Sequence, residues 1–199
     1  MRYSKEHKEQ SRARILETAS RLFRERGVEG IGVADLMKAA GLTHGGFYGH
    51  FASKDALVAA AVEEALTKGR AALSKAVSKA AASKAGPGPE GLRALLDLYL
   101  SPRHRDAPGA GCAIAALGAE APRAAPETRH AFTEGIEALA ALVADTLPEG
   151  PDRRERALAT VATMVGAMVM ARAVDDPTLS EEILEAAKVG AGPTGENSS

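Results

Sequence analysis

Apolar residues recur at helical spacing along almost the whole chain. Near the N-terminus, Ile15, Ala19, Leu22 and Phe23 fall on one face of a predicted helix. Further stripes follow at residues 57–73, 92–99, 132–143, 158–169 and 183–187. The alternating pattern of strands is rare. The sequence therefore predicts an all-α fold.

A pair of short helices is predicted at residues 33–51. Its apolar positions are Val33, Leu36, Met37 and Ala40 in the first helix and Phe47 and Phe51 in the second. Gly41 between them can adopt the left-handed backbone that ends a helix. Thr43 is expected to cap the second helix with its hydroxyl. This pattern predicts a helix-turn-helix, the unit that places its second helix in the DNA major groove.

The remaining elements follow from caps and breaks. Ser53 is predicted to cap a long helix to Ser83, and the Pro/Gly-rich stretch 85–89 breaks the chain. Further helices are predicted at 90–100, 111–120, 126–147, 152–174 and 179–189, with Asp152 as a cap and a polar loop at 101–109. The predicted domains are 1–52 (helix-turn-helix), 53–189 (helical effector-binding and dimerisation domain) and 190–199 (disordered tail).

Residues 15–57 resemble the N-terminal domain of the TetR family of transcriptional regulators. The matching residues are Ile15, Leu16, Ala19, Leu22, Phe23, Gly27, Val33, Leu36, Ala40, Gly41, Gly45, Phe47, Tyr48, His50, Phe51, Ser53, Lys54 and Leu57. The Tyr-x-His-Phe-x-Ser-Lys run after the turn makes the resemblance specific. It implies a three-helix N-terminal DNA-binding domain followed by a C-terminal helical domain for ligand binding and dimerisation.

The resemblance also implies the residues that meet DNA. Val33 and Ala34 would contact phosphates through backbone N–H groups, since neither has a polar side chain. His44 is the main candidate for base contact, with Gly45 and Gly46 beside it in the predicted recognition helix, residues 44–50. Candidates for hydrogen bonds to DNA phosphates are Thr43, Tyr48 and Lys54. His50 is either structural or a neighbour of a phosphate. The glycines here, including Gly49, indicate either close approach to the groove or a loose turn.

The C-terminal part implies a homodimer and an effector cavity. The two last predicted helices resemble the family's dimer-forming pair, and residues 152–174 are apolar nearly all round. Candidate pocket residues, each also compatible with an ordinary core position, are Tyr99, Cys112, Leu117, Phe132, Val165 and Met168. Cys112 has two interpretations: a small core residue, or a reactive sensor thiol that needs an electropositive, partly exposed setting.

Charge and composition change this picture little. The 199 residues carry a net charge of −1, divided as +3 over residues 1–55 and −4 over the remainder. A basic end fits a DNA-binding module, although ordinary surface variation gives the same asymmetry. The basic residues before Ile15, including Lys5, His7 and Lys8, lie either near the phosphate backbone or on a solvated terminus.

Other classes of function have weaker support. The sequence shows no secretory signal and no apolar run of transmembrane length, which predicts a cytoplasmic protein without membrane association. One Cys and five His, without a phosphate-binding loop or metal-spaced cluster, predict no enzyme, no cofactor, no catalytic residues and no metal site. His130 and Glu134 are an i, i+4 pair of the kind found on helix surfaces.

The predicted function is a homodimeric repressor that a small-molecule effector releases from a palindromic double-stranded DNA operator. Two alternatives stay open at this point. One is a DNA-binding regulator without an effector, and the other is a thiol-based sensor that acts through Cys112.

Overall fold

The computed structural model describes residues 5–83 and 89–192. Its α-helices are α1 (Lys5–Arg26), α2 (Val33–Ala39), α3 (Lys54–Ser83), α4 (Pro89–Tyr99), α5 (Pro102–Asp106), α6 (Ala113–Leu117), α7 (Pro126–Ala144), α8 (Arg153–Ala173) and α9 (Pro177–Ala191). Short 3-10 segments lie at His44–Gly49, Pro108–Ala110 and Ala121–Arg123. No strand occurs within the described ranges, which confirms the all-α prediction. Residues 84–88 of the predicted break and 193–199 of the predicted tail lie outside the described residues.

The chain divides into two compact units. Unit 1 contains Met1–Thr67 and Pro108–Gly135, and unit 2 contains Lys68–Ala107 and Ile136–Ser199. Helices α3 and α7 therefore each contribute residues to both units. The domain boundary at residue 52 stays a prediction about function, whereas the packing unit around the helix-turn-helix also takes in residues 108–135.

Unit 1 is built on the apolar stripes that the sequence predicted. Ile15, Phe23, Leu36 and Phe47 are each at most 1% exposed. The same core also contains Ala19, Leu22, Ile31, Met37, Ala40, Phe51, Leu57, Val58, Ala61, Val62, Leu117 and Phe132. Each large side chain buried in this way contributes roughly 1.5–3 kcal/mol of transfer free energy. This core packs α1, α2, the 3-10 segment at His44–Gly49 and the start of α3 together.

Of the three predicted helix caps, the one at Ser53 is confirmed, whereas those at Thr43 and Asp152 are wrong. The predicted loop at 101–109 is also wrong. The Ser53 hydroxyl does cap α3, accepting from the Ala56 N–H at 3.0 Å. Neither Thr43 nor Asp152 makes a side-chain cap bond, and the Asp152 carboxylate instead lies 3.2 Å from the Arg156 guanidinium. The predicted loop at 101–109 contains α5, because the Ser101 side chain caps it and proline occupies its first turn.

Unit 2 is held together by arginine and serine contacts as well as by its apolar core. The Arg172 guanidinium donates to the carbonyl oxygens of Arg105 at 3.0 Å and His104 at 2.7 Å. Arg105 donates to the Ser180 hydroxyl at 3.0 Å, and that hydroxyl donates to the Ala171 carbonyl at 2.7 Å. These bonds fix α5 against α8 and the start of α9.

Helix α8 has an apolar surface on two sides. Met164 and Met168 are fully buried, while Leu158, Val169 and Met170 are 37%, 45% and 56% exposed. By length and composition alone, α8 meets the criterion for a membrane-spanning helix, so the expectation of no such apolar run was too strict. A single apolar helix of this kind is weak evidence for a membrane, because core helices of globular proteins have the same composition.

Candidate nucleic-acid interface

The turn of the helix-turn-helix has the geometry expected from Gly41. This glycine has φ +69°, a left-handed conformation that side chains rarely adopt. Its N–H donates to the Lys38 carbonyl at 3.0 Å, and the Leu42 N–H donates to the Met37 carbonyl at 2.9 Å. This pair of bonds is the Schellman motif, which satisfies the last carbonyls of α2 and redirects the chain.

The segment that follows the turn, His44–Gly49, is a 3-10 helix rather than the α-helix predicted for 44–50. We call it the recognition segment. Three of its six residues are glycine, which lowers α-helix propensity by roughly 1 kcal/mol each relative to Ala. Its first backbone bond runs from the Gly46 N–H to the Thr43 carbonyl at 3.0 Å. The i+3 bonding pattern is tighter than that of an α-helix.

The outward face of the recognition segment is almost free of side chains. Thr43, His44 and Gly45 are exposed, and Tyr48 is 70% exposed. A Cβ atom added at Gly45 or Gly49 would have no neighbour within 4 Å. Below this face, the rings of Phe47 and Phe51 stack with centroids 6.0 Å apart and anchor the segment in the core. Its only large exposed side chains in the described structure are thus those of His44 and Tyr48.

Two candidate phosphate contacts lie at helix starts. Helix α2 begins at Val33, which is half-buried, followed by exposed Ala34, and its first N–H groups have no partner within the helix. At the start of α3, the Lys54 ammonium lies 3.7 Å from the carboxylate of Glu29, which is 92% exposed. An ion pair with one exposed partner is worth roughly 0–1 kcal/mol, so breaking this pair costs little.

His50 follows the recognition segment and lies in a positive environment. Its Nδ1 atom is enclosed and has no hydrogen-bond partner among the described residues. Desolvation lowers the pKa of His50, and the charges of Lys8, Arg12 and His7 on α1 lower it further. Arg12 is one of the basic residues before Ile15, but sequence reasoning did not single it out. The i, i+4 spacing of Lys8 and Arg12, which places both on one face of α1, is the signal that could have found it.

The candidate pocket residues divide between the two units. Leu117 and Phe132 belong to the unit 1 core, and Cys112 is half-buried at the start of α6. In unit 2, Tyr99 and Met168 are buried, and Val165 is half-buried. The Tyr99 ring makes an edge contact with His104, with centroids 4.6 Å apart. Their role in ligand binding stays a prediction, as does the role of each DNA-contact residue.

Residues 108–120 form hydrogen bonds with α1 and the residues that follow it. The Arg24 guanidinium donates two hydrogen bonds to the Gly109 carbonyl, one of them from Nε at 3.0 Å. The Glu120 carboxylate accepts from the Val28 N–H at 3.1 Å, just beyond the end of α1. A Cβ on Gly27 would lie only 2.9 Å from this carboxylate. Both ends of the segment are thus fixed to α1 and the residues after it.

An N-terminal helix-turn-helix followed by further helices is the architecture of a DNA-binding regulator. The family model described as bacterial regulatory proteins, tetR family, matches residues 15–61, and the model described as tetracyclin repressor-like, C-terminal domain, matches residues 88–187. The chain therefore belongs to the TetR family of DNA-binding transcriptional regulators.

Individual relatives agree with this assignment. The chain is 41% identical over 63 residues to the HTH-type transcriptional regulator TtgR of Pseudomonas putida, a match covering 32% of this chain and 30% of that protein. A TetR regulator from Chloroflexus aurantiacus is similar over 92% of this chain and 93% of its own, with 27% identity and a TM-score of 0.73. The reduced form of NemR from E. coli shares the fold, with 24% identity, a TM-score of 0.74 and coverage of 94% and 100%.

Proposed function

We propose that the protein is a homodimeric repressor in the cytoplasm that binds a palindromic operator and is released by a small-molecule effector. The observation that carries this proposal is the exposed recognition segment, held on a rigid core and bordered by cationic groups. We propose no catalytic role and no cofactor. No group of three potential metal ligands occurs among the described residues.

Exposed apolar side chains on α8 and α9 support the dimer. Val169 and Met170 of α8 are about half exposed, and Leu179 and Val189 of α9 are 42% and 83% exposed. A contiguous patch of exposed apolar side chains marks an interaction site, and the dimer proposal requires that these residues form one. Two recognition segments are also needed to read half-sites one helical turn apart, ~34 Å.

Light scattering tests the dimer, with an expected mass of twice the 20.6 kDa chain. Met170→Glu should shift the mass toward the monomer and weaken operator binding. Leu98→Glu is the matched control, because Leu98 is 43% exposed on α4. A wild-type monomer at micromolar concentration would refute the dimer proposal.

Selection of DNA from a random pool by the purified protein tests the operator. The expected result is an inverted repeat whose half-sites are one turn apart. Enrichment of a non-repeated sequence would contradict the palindromic operator, and enrichment of nothing would contradict sequence-specific binding. A screen of metabolites for release of the protein from the selected operator then distinguishes an effector-responsive repressor from a regulator without an effector.

Thiol sensing is a second candidate because of the position of Cys112. Burial lowers the pKa of Arg24, and electrostatic interactions with Cys112 and with Glu25 oppose that effect. Cys112 therefore lies within electrostatic reach of the Arg24 guanidinium. The same guanidinium holds the Gly109 carbonyl, so modification of the thiol would disturb a contact with α1.

Cys112→Ser tests this second candidate. If the thiol is a sensor, an electrophile or peroxide should release the wild-type protein from its operator and leave Cys112→Ser bound. If the thiol is an ordinary core group, both proteins should respond alike. Mass spectrometry of the folded dimer should identify Cys112 as the modified residue in the first case.

A further inference from the structure

Part of the outward surface of the recognition segment is formed by Gly45, Tyr48 and Gly49, which we call the glycine face. All three residues are exposed. Because side chains three residues apart on a 3-10 helix lie one above the other, Tyr48 lies one turn over Gly45. A Cβ atom at Gly45 or Gly49 would have no neighbour within 4 Å. Each glycine therefore leaves space for a methyl group on this face.

The ring of Tyr48 gives the glycine face an apolar wall of defined orientation. It meets the ring of Phe47 edge-on, with centroids 5.2 Å apart and an angle of 82° between the ring planes. Phe47 is fully buried and stacks on Phe51, so the ring that supports Tyr48 is fixed in the core. A side chain that is already ordered loses little conformational entropy when a ligand packs against it.

The chemistry of the major groove indicates which base fits such a face. Thymine carries a methyl group on C5, where cytosine carries only hydrogen, and the other groups that identify a base pair there are hydrogen-bond donors and acceptors. A donor or acceptor placed against an apolar surface loses its water without gaining a partner, which is unfavourable. Because the glycines supply no side-chain donor or acceptor, this face favours the thymine methyl group over the polar base edges.

We propose that the glycine face recognises thymine in each operator half-site, and that the C5-methyl group fills the space at Gly45 or Gly49 beside the Tyr48 ring. The inference rests on the proposed function, because the recognition segment must lie in the major groove for this contact to form. The contact uses the ring of Tyr48 and leaves its hydroxyl for the predicted phosphate bond. His44 stays the candidate for a hydrogen bond to a neighbouring base.

The experiment uses the full-length protein and an operator selected from random DNA, in which each thymine of the half-site is replaced in turn by uracil. Uracil keeps the O4 acceptor and the base pairing of thymine and lacks only the methyl group. At the contacted thymine, wild-type affinity should fall by about fourfold per half-site, the factor that corresponds to burial of one methyl group. A G·5-methylcytosine pair at that position should bind more tightly than a G·C pair, because it restores the methyl group.

Alanine variants move the methyl group from the base to the protein. At the contacted position, Gly45→Ala or Gly49→Ala should bind the uracil operator more tightly than the thymine operator, which reverses the wild-type order. The variant that shows the reversal identifies the glycine that the methyl group meets. Gly69→Ala, at an equally open position of α3, should keep the wild-type order. Thermal unfolding establishes that each variant is folded.

Three results would overturn the thymine contact and leave the proposed function intact. They are a selected operator without thymine in its half-sites, equal wild-type affinities for thymine and uracil at every position, and the wild-type order retained in both Gly45→Ala and Gly49→Ala. If the selection enriches no DNA sequence, the proposed function and the thymine contact are overturned together.

Discussion

Glycine-to-alanine substitutions in the recognition segment separate its two interpretations, close approach to the groove and a loose turn. Gly45→Ala and Gly49→Ala add a methyl group where no atom lies within 4 Å, and neither glycine has a positive φ. Each substitution should therefore stabilise the free protein by roughly 0.5–1 kcal/mol, because alanine loses less backbone entropy on folding. Gly69→Ala, at an equally open position of α3, should stabilise it similarly.

Operator binding should respond in the opposite direction. If the backbone of the recognition segment lies against the groove, the added methyl group displaces it. A cost of about 1.4 kcal/mol per protomer, present twice in a dimer, corresponds to roughly a hundredfold loss of affinity. Thermal unfolding and fluorescence anisotropy measure the two effects on the same samples. Affinities of Gly45→Ala and Gly49→Ala equal to that of Gly69→Ala would refute close approach and favour the loose turn.

Four further predictions concern individual residues. Lys54→Ala should weaken binding about equally on all DNA sequences and reduce the slope of log affinity against log salt by roughly one. His44→Ala should instead relax base preference at one position of each half-site. Binding to a panel of operator variants measures both effects. Glu120→Ala should lower the free energy of unfolding by roughly 1–3 kcal/mol because the Val28 N–H loses its acceptor. Glu120→Gln keeps an acceptor oxygen and should lower it less. Urea denaturation measures both values. Burial is the main cause of the lowered pKa of His104. The contribution of the neutral His104 side chain to stability should therefore be complete above the unfolded-state pKa near 6.5 and be lost as pH falls toward the folded-state pKa. The free energy of unfolding of wild type and His104→Asn at several pH values checks this.

The sequence was sufficient for the long helices and for the turn of the helix-turn-helix, although it missed α5. Apolar spacing identified the buried faces of α1 and α2, because burial on one side of a helix requires that spacing whatever the helix packs against. The role of Gly41 could also be predicted, since its left-handed conformation is a local property of the backbone. Helix caps were predicted less well. Thr43 and Asp152 are suitable cap residues in suitable positions, yet neither side chain makes the bond.

Contacts between distant residues required the tertiary structure. No local pattern indicates that Glu120 accepts from Val28 or that Arg24 holds the Gly109 carbonyl, because these pairs are separated by 92 and 85 positions. The division of the apolar surface of α8 was also undetermined, since a helix that is apolar nearly all round does not indicate which side is covered. The packing of α8 within unit 2 buries Met164 and Met168 and leaves Val169 and Met170 exposed.

The positive environment of His50 depends both on local sequence and on tertiary structure. The sequence alone determined the Tyr-x-His-Phe-x-Ser-Lys run and the i, i+4 spacing of Lys8 and Arg12, because both are relations between near neighbours in the chain. Only the tertiary structure decided that α1 brings those charges within reach of His50 and sets Arg12 over Phe51. The physical reason is that electrostatic interactions depend on distance in space, and that distance is fixed by how the core of unit 1 packs.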